Sequence, residues 1–154
     1  MYWLTIDPGE TTGWSVWQGT ERVGGGQDPL WDFIDAVDAW FENGFICSGP
    51  VFGDANERIG ALVVEDWRLY PWVIGSGALD FDACRTARGI GALELLARRN
   101  HIPIILQPAS IKDAAKAAGA EEMYVSPVHE NRHQNDSIQH GVFYLALNGN
   151  KPPC

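Results

Sequence analysis

Cysteine is scarce in this chain: Cys47, Cys84 and Cys154 are the only three among 154 residues. Their spacing suggests no pairing, which argues against a disulfide framework or a cysteine-based metal site and points to a reduced, cytoplasmic compartment. Long apolar runs are also missing, and nothing approaches the roughly 18–20 residues a membrane span needs. Met1-Tyr2-Trp3 lacks the basic region and cleavage site of a signal peptide. Basic residues are few: 11 Lys and Arg against 20 Asp and Glu give a net charge of −9. That balance speaks against a generic nucleic-acid binder, because phosphate contacts need Lys and Arg. There is no internal repeat, low-complexity segment or linker.

What is present suits one domain spanning residues 1–154. The hydrophobic fraction is 45%, with seven Trp, enough to build a sizeable core without a staple. Charge is unevenly spread. Residues 28–57 carry seven acids and no Lys or Arg, whereas residues 84–116 carry six bases and two acids. One reading is two solvated faces of opposite sign; the other is a single face that meets a polyanion.

Residues 2–6 and Thr11 to Trp17 read as strands separated by a Pro8-Gly9 turn, with a weaker third strand over Arg22 to Gly26. Asp28-Pro29 has the form of an N-cap followed by a first-turn proline. The helix after it would place Leu30, Phe33, Ile34, Val37 and Phe41 on one face and stop at Asn43-Gly44. "ALVVE" (61–65) and "IPIIL" (102–106) read as buried strands, separated by a helix from about Asp82 to Asn100. Ser110 is placed to cap a short helix reaching Ala118, with Asp113 at the capping-box position and Gly119 as its stop. Residues 120–132 look irregular, and a last helix runs from about Asn135 to Leu147. Three antiparallel strands followed by alternating helix and strand predict a mixed α/β sheet.

In such a sheet Asp7, at the end of the first strand, and Glu65, at the end of the fourth, can lie side by side. Asp136, on the last helix, can complete the group, and His133 lies one helical turn away from it. Converging carboxylates repel unless something positive sits among them. A divalent cation is the usual solution, and Mg²⁺ takes carboxylate oxygens and waters. Two such ions roughly 3.5–4 Å apart serve phosphodiester cleavage in known two-metal sites. His133 could bind a metal, for which Mn²⁺ is the more tolerant ion, or could position the attacking water. Taken singly, each residue has a plainer role: Asp before Pro-Gly forms turns, Glu after a strand meets solvent, and His near a helix start caps it. The order of all four together favours a site.

The stretches "TIDPGETTGW", "LVVED", "TARGIGALELLARRNHIPI", "PASIKDAAK" and "HQNDSIQHGVFYLAL" resemble, in that order, the RuvC-type Holliday-junction resolvases of the RNase H-like nuclease fold. The resemblance covers most of the chain and includes the His-x-x-Asp form of the final pair. It implies an RNase H-like α/β fold, with a five-stranded mixed sheet flanked by helices. It places the metal-binding and catalytic set on Asp7, Glu65, His133 and Asp136, served by two Mg²⁺ ions with Mn²⁺ as substitute. It further implies a homodimer that nicks opposed strands of a four-way DNA junction and leaves 5′-phosphate ends. The compact length is compatible with a bacteriophage-encoded member, acting in the host cytoplasm. Two features depart from the family pattern: the stretch between Gly119 and Arg132 is short, and the chain is unusually acidic.

DNA-contact candidates are Arg85 and Arg88 on the long helix, Lys112 and Lys116 on the short one, and Trp67, Arg68 and Tyr70 in the loop after Glu65. Lys112 falls in a segment that carries DNA-binding basic residues in the family. Exposed aromatics suit unpaired bases, although at least one of Trp67 and Trp72 is expected in the core. Gly89 and Gly91 interrupt the long helix and would permit close packing, against the sheet or a second subunit. Competing readings are an RNase H-like nuclease for forks, flaps or RNA, a nucleotide-binding ATPase of the actin and sugar-kinase type, and a non-catalytic DNA-binding module.

Overall fold

The computed structural model describes residues 1–43, 58–67 and 81–154. Strands β1 (Tyr2–Asp7), β2 (Thr11–Gln18) and β3 (Glu21–Pro29) lead into helix α1 (Leu30–Asn43). Strand β4 (Ile59–Asp66), helix α2 (Phe81–Arg99), strand β5 (Ile104–Pro108), the short helix α3 (Lys112–Ala117) and the final helix α4 (Arg132–Leu147) follow. The five strands form one sheet in the order β3-β2-β1-β4-β5. β1–β2 and β2–β3 are antiparallel, while β1–β4 and β4–β5 are parallel. This is the predicted mixed sheet, with β1 buried along its whole length.

Alternation along the strands sorts side chains between two faces. Tyr2, Leu4 and Ile6 of β1 join Trp14 and Val16 of β2 and Leu62 and Val64 of β4 beneath α1 and α2. Leu30, Phe33, Ile34, Val37 and Trp40 cover them from α1, and Ile90, Leu93, Leu96 and Ala97 from α2. Gly89 of α2 packs against Leu30, whereas Gly91 faces open space. On the opposite face Trp3, Trp17, Ala61 and Val63 meet Leu145, Val142 and Tyr144 of α4. Trp3 and Trp17 stack at 5.1 Å, with Tyr144 tilted over Trp3 at 5.8 Å. Three buried indole N–H groups have acceptors, as burial favours: Trp3 donates to Gly19 O, Trp14 to Asp28 Oδ2 and Trp17 to Thr5 Oγ1.

Several boundaries differ from the sequence reading for identifiable reasons. Asp28 does not cap α1, because its carboxylate accepts from Trp14; β3 extends to Pro29, and the first α1 amide donates to Glu10 O instead. Ser110 lies within a 3₁₀ turn, Ala109–Ile111, and α3 has no side-chain cap. Gly119 does terminate α3, in a left-handed conformation (φ 93°) suited to glycine. The segment read as irregular contains a 3₁₀ turn at Ala120–Met123. α4 begins at Arg132 rather than near Asn135, which puts His133 inside its first turn.

Gly13 sets how closely α4 approaches the sheet. A β-carbon there would collide with the His133 carbonyl. Gly13→Ala should therefore lift the start of α4 and cost about 1–3 kcal/mol, the usual range for overpacking. Urea denaturation of the variant measures this directly.

Candidate active site

Strand parity determines which side chains α4 can meet. Asp7 follows Trp3 and Thr5 on the α4 face of β1, and Glu65 follows Ala61 and Val63 on the same face of β4. β1 and β4 run parallel with Ile6 opposite Val64, so the next residues, Asp7 and Glu65, emerge together at one sheet edge. Gln107 of β5 lies opposite Glu65 and extends the row.

α4 crosses this edge with a stripe at helical spacing. His133 Nδ1 is 3.1 Å from Asp7 Oδ2. Ser137 Oγ is 2.8 Å from Ser15 Oγ. His140 Nε2 is 2.9 Å from Glu65 Oε2, and its Nδ1 is 2.8 Å from Gln107 Oε1. Asp136 reaches in from the α3 side, accepting from Lys112 Nζ at 2.9 Å and from Gln139 Nε2 at 2.9 Å. The same Lys112 ammonium lies 3.5 Å from Glu65 Oε2. Asp7, Glu65, Asp136 and His133 thus form one cluster, with Lys112 bridging two of the acids.

Burial raises the Asp7 carboxyl above the usual carboxylate range; the hydrogen bond with His133 and the charge of Lys112 oppose it, Glu65 and Asp136 add to it, and burial prevails. Burial acts the same way on Glu65, but the hydrogen bond from His140 and the charge of Lys112 outweigh it and bring that group down. Burial opposes the Lys112 charge, yet Asp136, Glu65 and Asp7 together raise its pKa. The hydrogen bond to Asp7 raises His133, against burial. A raised imidazole contributes stability that is fully present below its ordinary value of about 6.5. That contribution is lost as pH rises through the folded-state value. The urea midpoints of wild type and His133→Gln in EDTA should therefore differ most below about pH 6.5 and converge as pH rises past the folded-state value.

Among the described residues, no three His, Cys, Asp or Glu side chains stand preassembled around a single point. Lys112 instead places a positive charge between Glu65 and Asp136. The donor set, three carboxylates and one imidazole, is nevertheless hard and oxygen-rich, which suits Mg²⁺ or Mn²⁺. The residues fit such an ion.

The remaining candidates lie in different settings. Lys112, expected on a DNA-contact face, is half-buried in the acid cluster, while Lys116 is exposed. Arg85 pairs with Glu10 at 2.7 Å, and Arg88 lies over the exposed Trp31 ring at 5.4 Å. Trp67 is partly buried against the main core. Arg68, Tyr70 and Trp72 lie outside the described residues. Sequence reasoning missed His140 and Gln107. The available signal was position: His140 follows His133 by seven residues and Asp136 by four, on the same helix face.

No protein-family model matches the chain, and no curated protein matches it. Solved structures do. Thermus thermophilus RuvC in complex with a Holliday junction substrate superposes with a TM-score of 0.59 at 17% identity, over 100% of this chain and 99% of that one. A second Thermus thermophilus RuvC structure gives 0.56 at 17% identity, over 100% of both chains. Together with the β3-β2-β1-β4-β5 order, this likeness establishes that the chain has a RuvC-like, RNase H-type fold.

Proposed function

We propose that the protein is a divalent-metal-dependent, structure-selective DNA endonuclease that resolves four-way junctions. The observation that carries this reading is the convergence of Asp7, Glu65, Asp136 and His133 at one sheet edge around Lys112. The fold shared with a RuvC that binds a Holliday junction substrate supports it. Asp7, Glu65, Asp136 and His133 would hold the ions, Mg²⁺ or Mn²⁺, and two would bind in the complete site. The bound ions would supply electrophilic stabilisation of the phosphate and leaving oxygens and activation of the attacking water.

The chain's own residues have distinct tasks. Asp7 orients His133 through Nδ1, and Nε2 of that ring has no protein partner among the described residues. It is therefore available to position a water or hold a proton. Lys112 offsets acidic charge that would otherwise repel a phosphodiester, and Gln139 fixes one oxygen of Asp136. Arg85, Arg88 and Lys116, with Trp67, Arg68 and Tyr70, would contact branched DNA. A homodimer would place two such sites on opposed strands, each leaving a 5′-phosphate.

The test is a labelled panel incubated with Mg²⁺, Mn²⁺ or EDTA. It contains a mobile four-way junction, a fork, duplex DNA, single-stranded DNA and an RNA–DNA hybrid. Paired symmetric nicks in the junction are the expected result. Cutting confined to forks or hybrids would move the substrate within the nuclease class. Binding without cutting would overturn the enzymatic reading.

A further inference from the structure

His140 is the most completely buried ionisable side chain near the cluster, with no exposed surface in the middle of α4. An imidazole can be buried there only if both ring nitrogens find partners. They do: Gln107 on β5 meets Nδ1, and Glu65 on β4 meets Nε2. The β4–β5 register sets Gln107 directly opposite Glu65, so two adjacent strands present both partners to a single ring.

Hydrogen-bond chemistry fixes the direction of the important contact. An ionised carboxylate only accepts, so His140 Nε2 carries the hydrogen. Gln107 can turn either its oxygen or its NH₂ group toward Nδ1; both arrangements leave the Nε2–H to Glu65 bond intact. Glu65 therefore has one acceptor position of Oε2 occupied from below the sheet edge. That bond leaves Oε1 and the remaining acceptor position of Oε2 for other partners. Without that donor, Glu65 could swing freely toward Lys112, already 3.5 Å away.

We propose that Gln107 and His140 form a positioning pair that locks the Glu65 carboxylate in the orientation needed to take a divalent cation. The proposal rests on the metal-dependent reading above. His140 touches neither substrate nor ion; it acts through Glu65. Groups that support a ligand in this way typically contribute about 10–100-fold in metal affinity.

The test uses the full chain and Mn²⁺ alone, titrated calorimetrically into wild type, Glu65→Gln, His140→Leu, His140→Gln and Gln107→Leu. Thermal melts in EDTA run alongside, with ¹⁵N NMR of the imidazole rings. Expected are Mn²⁺ uptake by wild type, a strong loss in Glu65→Gln and a roughly 10–100-fold weakening in folded His140→Leu. His140→Gln, which keeps an N–H near the Nε2 position, should recover part of the affinity. The wild-type His140 ring should show a protected Nε2–H. A folded His140→Leu that binds Mn²⁺ as wild type does would overturn the proposal. If that variant fails to fold, the decision passes to Gln107→Leu and the ring spectrum. Undiminished affinity in Gln107→Leu, or a wild-type ring with bare Nε2, would overturn it. Failure of the underlying reading looks different: wild type takes up no Mn²⁺, or Glu65→Gln binds it equally well.

Discussion

Asp7→Asn should abolish junction cleavage and, in EDTA at neutral pH, make the protein more stable. The two effects have one cause. Burial, reinforced by Glu65 and Asp136, holds the Asp7 carboxyl above its ordinary range. Its ionised form is therefore disfavoured in the fold. A carboxyl raised in this way destabilises the native state above its folded-state value, and the penalty disappears as pH falls below the unfolded value. Asn keeps an oxygen that can accept from His133 but carries no charge. Its advantage should be present at neutral pH and vanish in acid. For a domain of this size, each kcal/mol gained raises the melting temperature by roughly 2–4 °C. The loss of activity should exceed the roughly 10–100-fold typical of removing a group that only supports a ligand. Thermal melts across pH, paired with the junction assay, read both effects. A variant that loses both stability and activity would make Asp7 a structural residue.

Lys112→Met should have the opposite signature in EDTA. It removes the ammonium between Asp136, at 2.9 Å, and Glu65, at 3.5 Å, and leaves the acids facing one another. Breaking a fully buried pair costs about 3–5 kcal/mol. The Lys112 side chain is 33% exposed, so solvent screening reduces the expected cost to about 1–2 kcal/mol. The melting temperature should fall by several degrees. Mn²⁺ should then restore more stability to the variant than it adds to wild type, because it enters a cluster that lacks its internal cation. Equal stability of variant and wild type in EDTA would mean that Lys112 does not hold the acids together.

Local chemistry made Asp7 and Glu65 legible in the sequence. Each ends an apolar strand, and the period-2 rule assigns both to one face once the strands are neighbours. The His133–Asp136 pair was legible from helical spacing, even with the start of α4 misplaced by three residues. Lys112 was not. Paired with Lys116 at i, i+4, it reads as part of a DNA-contact face, and only the packing of α3 beside α4 turns it inward. His140 escaped for a related reason. A histidine inside an apolar helix reads as core, and its two partners come from strands 33 and 75 residues away. Asp28-Pro29 misled because a local signal for capping lost to a tertiary hydrogen bond from Trp14. Residue type and period locate the acids; long-range packing decides which cations and donors surround them.

The stacked Trp3–Trp17 pair gives the molecule an optical gauge of its own. Two indoles 5.1 Å apart and inclined by 20° couple their electronic transitions, and α4 covers them through Tyr144 and Gly141. Near-ultraviolet circular dichroism from that pair therefore reports whether α4 is seated on the sheet. Gly13→Ala should dim the signal, while Asp7→Asn should leave it intact. An inactive variant can thus be sorted, without labels, into one whose helix has lifted and one whose chemistry alone has been removed.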